Sequence, residues 1–443
     1  MAREISQEIG IVAANSQPMI TRRELLAGVA GLAALRNDAL DALDRWIGNE
    51  RLGSGAQAAA DEGFWAQIQQ AFTLDRTMIN LNNGGVCPSP RVVQDALRRY
   101  LEYSNQAPSY YMWRHLETEV ESVRRRLAEA FGCGAEEIAI TRNASEALEN
   151  CLFGFDLQRG DEVLTTTLDY PRMITTIRQR ERREGIRMVQ VKVPPVVDSM
   201  EEIVRRIEEG ITPRTKLILF CHVVFLNGQI FPAQAICALG ERRGIPVVVD
   251  GAHAFAHLPF KQSDLGCEFY GTSLHKWLTA PIGTGFLYVR KRSIGKVWPL
   301  MAATAEQNED IRKFEEIGTH PAANHNAIAE AITFYEMIGP ERKAARLRYL
   351  RSLWVDRLRD VGNVTFHTNL DPAHSCGLTT VEIVGTEPAK LAGWLWDRHR
   401  IFVTSIGHDD FQGIRVTPNV YTTVEEMRRF GDAMLTAARS GIE

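Results

Sequence analysis

The chain lacks the features that would place it at once. It has no Cys-x-x-Cys pair: its seven cysteines, Cys87, Cys133, Cys151, Cys221, Cys237, Cys267 and Cys376, are odd in number and scattered, most of them in apolar runs such as LILFCHVVF. A thiol in such a run packs as a small hydrophobe, so neither a disulfide framework nor a zinc site is expected. Charge of one sign is not in excess. With 51 Lys and Arg against 55 Asp and Glu, the formal net charge is −4 and the signs are interspersed, which gives nucleic acid no electrostatic hold. No glycine fingerprint follows the first strand-like run, which excludes a dinucleotide-binding dehydrogenase. The apolar run Leu25 to Leu35 is eleven residues long, too short for stable membrane insertion as a helix.

What is present is ordinary globular material: 443 residues, 45% hydrophobic and 24% charged, long enough for a large core. Near the N-terminus, Thr21-Arg22-Arg23-Glu24-Leu25-Leu26 precedes AGVAGLAAL, the form of a twin-arginine export signal. That route carries folded proteins, so the pattern predicts a periplasmic address for a protein folded in the cytoplasm; without it the protein is cytoplasmic. A small-residue cleavage candidate, Gln57 to Ala60, lies far downstream. Residues 1–60 read as tail and linker, 61–335 as a large cofactor-binding domain whose first part touches the smaller one, and 336–443 as a small C-terminal domain.

The most informative stretch is residues 246–291. Pro246 to Asp250 is a β-branched run closing on a carboxylate, which reads as a buried parallel strand delivering Asp250 to its C-terminal end. Open α/β sheets bind ligands at that edge. Twenty-six residues later Lys276 stands in Ser273-Leu274-His275-Lys276-Trp277. Alone, a strand-end Asp is commonly a turn former and a lone Lys a solvated charge. Together they suit pyridoxal phosphate, whose aldehyde forms a Schiff base with a lysine and whose pyridine nitrogen needs a carboxylate to stay protonated.

A second piece points the same way. Glu137 to Thr141 reads as a strand, broken at Arg142-Asn143-Ala144-Ser145 and resumed as the helix EALENCLFGF. Free N–H groups and the positive end of the helix dipole make such a turn an anion site, assigned to the cofactor phosphate through Asn143, Ala144 and Ser145.

These pieces, with Asp250-Gly251-Ala252-His253, Cys267 to Tyr270 and Gly283 to Val289, resemble aminotransferase class V. That is a family of fold-type I pyridoxal phosphate enzymes holding cysteine desulfurases and isopenicillin N epimerase. The nearest overall resemblance, over roughly residues 75 to 435, is to the isopenicillin N epimerase-like branch. It implies an α/β fold: a mostly parallel seven-stranded sheet flanked by helices, plus a small α+β C-terminal domain. By the resemblance, Tyr170 stacks on the pyridine ring, His253 meets its hydroxyl, and Ser273 and His275 contact the phosphate. Thr319, in Phe314 to His320, would reach a partner's phosphate across a homodimer with shared active sites. Arg415, in Gly413 to Pro418, would bind a substrate carboxylate by its planar fork. The segment Ile79 to Val86 would bring Asn83 to the substrate, and Arg114, in the aromatic cluster Pro108 to Arg114, would stand near the entrance. The chain departs from its relatives after His222, where small polar residues give way to Val224 and Phe225; His222 and Asn227 remain as polar contacts.

With the cofactor in place, loss of a proton from the substrate α-carbon leaves a carbanion, and Lys276 is the expected base. The catalytic set is Lys276, Asp250, His253 and Tyr170. The proton can return to the α-carbon, as in an epimerase, or go to the cofactor, as in an aminotransferase; a β or γ group can leave instead, as in a lyase. A desulfurase needs a cysteine on a loop over the site, which IFVTSIGHDDFQGIR lacks. The substrate is expected to be an amino acid or a peptidic metabolite. A catalytically silent binding protein on this scaffold would need none of Lys276, Asp250 and Arg415.

Overall fold

The structure, a computed structural model, describes residues 55–442. The export-like segment lies outside them. Its cleavage candidate falls partly in a short helix, Gly55–Ala59, where Ala58 and Ala59 are buried.

In chain order the strands are β1 (Ile79–Asn80), β2 (Ile138–Thr141), β3 (Glu162–Thr166), β4 (Arg187–Val191), β5 (Thr215–Cys221), β6 (Val247–Asp250), β7 (Phe269–Ser273) and β8 (Gly285–Val289). The small-domain strands are β9 (Val364–Phe366), β10 (Thr379–Ile383), β11 (Ile401–Phe402), β12 (Thr404–Gly407) and β13 (Gln412–Val416). Seven strands form the main sheet in the order β2-β8-β7-β6-β5-β3-β4. Only β8 runs antiparallel to its neighbours, β2 and β7. The expected mostly parallel, seven-stranded sheet is therefore present. Its central strands are buried on both faces, which is why they read as unbroken apolar runs rather than alternating ones.

Helices close both faces. On one side α1 (Ala144–Gly154) and α2 (Pro171–Glu184) pack over Leu217, Leu219, Val248 and Phe269. On the other, aromatic residues centred on Phe131 meet Tyr270, Phe286 and Tyr288. The small domain is the sheet β12-β13-β10-β9 with α3 (Pro340–Leu358) and α4 (Val424–Ser440) behind it. Thr423 caps α4, its side chain accepting from the Glu426 N–H while Glu426 returns to the Thr423 N–H, a reciprocal box that fixes the start of the last helix.

The N-terminal part of the described chain is tied to the small domain. β1 pairs in parallel with β11, and the buried Arg346 of α3 holds Glu62 at 2.5 Å and the Ala59 carbonyl at 2.9 Å. Among the described residues no helix is long and apolar enough to cross a membrane.

Candidate active site

The C-terminal ends of the central strands converge on a cavity of about 250 Å³. Its floor comes from β5 and β6: Cys221 and Asp250 pair across the two strands and both line it. One wall is the β2–α1 turn. There Asn143 is the N-cap, its side chain accepting from the Glu146 N–H at 2.9 Å, and the Ala144 N–H donates to Ser273 Oγ at 2.9 Å. The Ser145 N–H has no partner among the described residues, so the helix start keeps a free donor at its positive end. The turn sits so close to β8 that a Cβ on Gly285 would lie 2.7 Å from Asn143 Cα; only glycine fits there.

Opposite the turn, Lys276 Nζ lies 3.1 Å from His253 Nε2. Burial pushes the Lys276 amine down to about 8, while the Asp250 charge resists the fall. Burial also pushes the Asp250 carboxyl up to about 6, against the Ala252 N–H that donates to it at 2.9 Å and against Lys276. Cys221 Sγ donates to the other oxygen at 3.7 Å. His253 is held well below the usual imidazole range, by burial first and by Lys276 next. Its Nε2 faces an amine and its Nδ1 is buried without a partner.

The third wall belongs to the small domain. Arg415 on β13 donates to the Phe225 carbonyl at 2.8 Å and to Asn82 Oδ1 at 3.1 Å, and its Nε is buried without a partner. Burial lowers the guanidinium to about 10. Tyr170 closes the mouth, its ring edge-on to Phe225 at 5.1 Å. Asp169 fixes that corner by accepting from Thr165 Oγ1, the Thr166 N–H and the Cys221 N–H, each at 2.7 Å.

The structure thus brings together Asn143, Ala144, Ser145, Tyr170, Asp250, His253, Ser273, His275, Lys276 and Arg415. It does not bring the other three. Asn83 is fully buried, giving its amide to the Thr417 and Asn80 carbonyls and taking the Tyr421 hydroxyl; its neighbour Asn82 meets Arg415 instead. Arg114 is exposed on the π-turn Met112–Leu116, outside the cavity lining. Thr319 is exposed and also outside it. His222 is buried edge-on to Phe260, and Asn227 is spent on Pro195 and Gln229; neither lines the cavity. Sequence reasoning missed Cys221, Met173 and Leu148 in the lining, and Asn82 as the partner of Arg415. Cys221 alone left a signal, since it ends the strand beside Asp250's.

Cavity chemistry and fold together define a class: a fold-type I enzyme built for pyridoxal phosphate. An anion-binding helix start, a buried carboxylate at a strand end, a buried amine of lowered basicity and two orphaned polar atoms, His253 Nδ1 and Arg415 Nε, suit that group and its amino-acid partner. The sequence profile of aminotransferase class-V matches residues 79–430, and the chain belongs to that family. Isopenicillin N epimerase of Streptomyces clavuligerus is 29% identical over 84% of this chain and 97% of the relative. The enzyme of that name from Amycolatopsis lactamdurans is 30% identical over 84% and 98%. Among solved structures, the apo cysteine desulfurase of Thermococcus onnurineus NA1 has a TM-score of 0.74 at 21% identity, covering 84% of this chain and 98% of that one.

Proposed function

We propose that this pyridoxal phosphate enzyme acts at the α-carbon of an amino acid, or of a metabolite containing one, in an epimerase-like or aminotransferase-like way. The observation that carries this is the facing of Lys276 Nζ and His253 Nε2 at 3.1 Å in one cavity with Asp250 and Arg415. When bound, the cofactor supplies a ring that accepts the electrons of a bond broken at the α-carbon. Everything else falls to the chain. The Ser145 N–H, Ser273 and His275 hold the phosphate, and Asp250 holds the proton on the pyridine nitrogen. Tyr170 covers the mouth and shields the site from water. Arg415 orients the substrate by its carboxylate, so that the α-hydrogen is presented to Lys276. The amine of Lys276 then takes the proton from the α-carbon, with His253 Nε2 as its hydrogen-bond neighbour.

Thiol chemistry fits less well. Of the seven cysteines none is exposed, and Cys376 is buried with its thiol on the His257 and Ala344 carbonyls. The cavity thiol, Cys221, is raised well above its usual range by burial and the charge of Asp250, and is no nucleophile there.

The test is the absorbance of the purified protein before and after borohydride, beside Lys276→Ala, followed by solvent-deuterium exchange at the α-carbon of supplied amino acids. A Schiff-base band that borohydride fixes and Lys276→Ala lacks, with α-deuterium incorporation, supports the reading. Release of a keto acid and ammonia without exchange into recovered substrate points to elimination. No band after added cofactor sinks the enzyme reading and leaves a binding protein.

Two further expectations belong to the same proposal. Thr319, with Ile282 and Trp298 68% and 63% exposed, fits a surface completed by a second copy, which sedimentation would show as a dimer. The Arg22-Arg23 pair fits twin-arginine export, for which a Lys-Lys variant should keep the protein out of the periplasmic fraction.

A further inference from the structure

The cavity mouth carries more than a family motif. Besides the groups assigned to the cofactor, it presents Arg415 and Phe225, with Phe225 beside Tyr170, whose ring is assigned to the pyridine face. Among the described residues, Arg415 is the one cationic side chain in the lining apart from Lys276 and the histidines. A substrate whose α-carboxylate occupies Arg415 finds among the described residues of the same copy no second arginine or free lysine in the lining for a carboxylate on its side chain. What it finds beside Arg415 is the ring of Phe225, the residue whose own carbonyl Arg415 holds.

The backbone that carries this ring is held in place. Loop 224–230 is clamped to the small domain and its surroundings at Phe225, Leu226, Asn227 and Ile230. The Leu226 carbonyl accepts from Thr380 Oγ1 at 2.5 Å and the Asn227 carbonyl from Thr368 Oγ1 at 2.6 Å. The Ile230 N–H donates to the His374 carbonyl at 2.8 Å. Asn227 Nδ2 is 2.5 Å from the Pro195 carbonyl. Between them Gly228 takes φ +78° where a Cβ would stand 2.3 Å from the Leu378 carbonyl, so this turn admits only glycine. On the other side the backbone leading into Tyr170 is fixed, because Asp169 is held by four donors in the β3–α2 corner. Two aromatic rings, edge-on at 5.1 Å, thus stand on a fixed backbone as an apolar wall next to the carboxylate fork. A wall held by backbone bonds discriminates better than one that can swing away.

We propose that Phe225 is the specificity-determining residue of the site and that the substrate is an α-amino acid, or an amino-acid residue with a free α-carboxylate, whose side chain is apolar or aromatic rather than acidic. This rests on the function proposed above. An acidic side chain at this wall would give up its hydration without a cation in return, while an apolar one would bury surface against the ring.

The experiment is calorimetric and needs no turnover. The apo full-length enzyme is titrated with reduced phosphopyridoxyl adducts of L-leucine, L-phenylalanine, L-aspartate and L-glutamate, and the series is repeated with Phe225→Ser and Phe225→Leu. The wild type should prefer the leucine or phenylalanine adduct over the acidic ones by about tenfold or more, the order of discrimination an apolar pocket supplies. Phe225→Ser should bring the ratio to near unity and Phe225→Leu should keep most of it. Equal binding of all four, a preference for the acidic adducts, or an unchanged ratio in Phe225→Ser overturns the proposal while leaving the cofactor site intact. Failure of every adduct to bind overturns it together with the function on which it rests.

Discussion

The buried amine of Lys276 makes a quantitative prediction about the apoprotein. Only a neutral amine attacks an aldehyde, so the rate of Schiff-base formation tracks the neutral fraction. Burial brings this amine down from the ordinary 10.5 to about 8. At pH 7 about one molecule in eleven then carries a neutral Lys276, against about one in 3,000 for an ordinary lysine, a gain of roughly 300-fold. Pyridoxal, which lacks the phosphate, isolates this step from anion binding. Mixed with apoprotein in a stopped-flow cell, it should react about tenfold faster for each pH unit up to about 7 and level off above 8. Asp250→Asn should move the midpoint downward, because the Asp250 carboxylate favours the ammonium form. Lys276→Ala should show no fast phase. A rate that climbs with unit slope to pH 10 would mean that Lys276 is an ordinary solvated amine, and the description of its pocket would be wrong.

Gly285→Ala would drive its Cβ to 2.6 Å from the Thr272 carbonyl and 2.7 Å from Asn143 Cα, both backbone; overpacking of about 1–3 kcal/mol should lower the apoprotein's thermal midpoint and weaken cofactor binding, and an unchanged midpoint would contradict the close approach. Ser273→Ala removes the acceptor of the buried Ala144 N–H, which should cost about 1–3 kcal/mol in urea unfolding and reduce affinity for the cofactor more than for pyridoxal. Asp169→Asn replaces one acceptor oxygen with a donor among four donors; about 1–3 kcal/mol should be lost, and a variant as stable as the wild type would show that this corner does not hold Tyr170.

What the sequence discloses and what it hides divide along distance in the chain. The β2 strand, its Asn143 turn and α1 lie within 17 consecutive positions, 138–154, and each carries its own signal: a β-branched run, a cap residue, a helical repeat. Asp250 and Lys276 are legible for the same reason, since each ends or follows one strand. The misplacement of Asn83 is different in kind. Asn82 and Asn83 are adjacent, and neighbouring residues of an extended segment point to opposite sides; which one meets Arg415 is decided by the pairing of β1 with β11 and by the bond from the Thr417 N–H to the Leu81 carbonyl, more than 300 residues away. The resemblance implies an entrance position for Arg114, but the aromatic residues around it, Tyr103, Tyr110, Tyr111 and His115, pack on one another. No local pattern distinguishes a self-contained cluster from one that lines a site.

Lys276 itself shows why motif and machinery are separate facts. The next residue, Trp277, is fully buried, its ring stacked on His257 at 3.7 Å and 6°, and its carbonyl taken by Lys343 of α3. His257 in turn donates from Nδ1 to the His253 carbonyl at 2.8 Å and accepts at Nε2 from the Gly377 N–H at 3.0 Å. Burial drives its pKa down to about 3, so the ring stays neutral and this one tautomer satisfies both bonds. The backbone that presents the amine is therefore gripped from the small domain by an amine 66 residues away and by a loop N–H 120 residues from His257. Arg415, Asn82 and loop 224–230 tie the same domain to the opposite wall. The lysine motif supplies the reactive group, but its position across the cavity from Arg415 is set by the seating of one domain on the other. A displaced small domain would move the carboxylate fork and the amine together, so the two halves of the site are a property of the whole chain rather than of either motif.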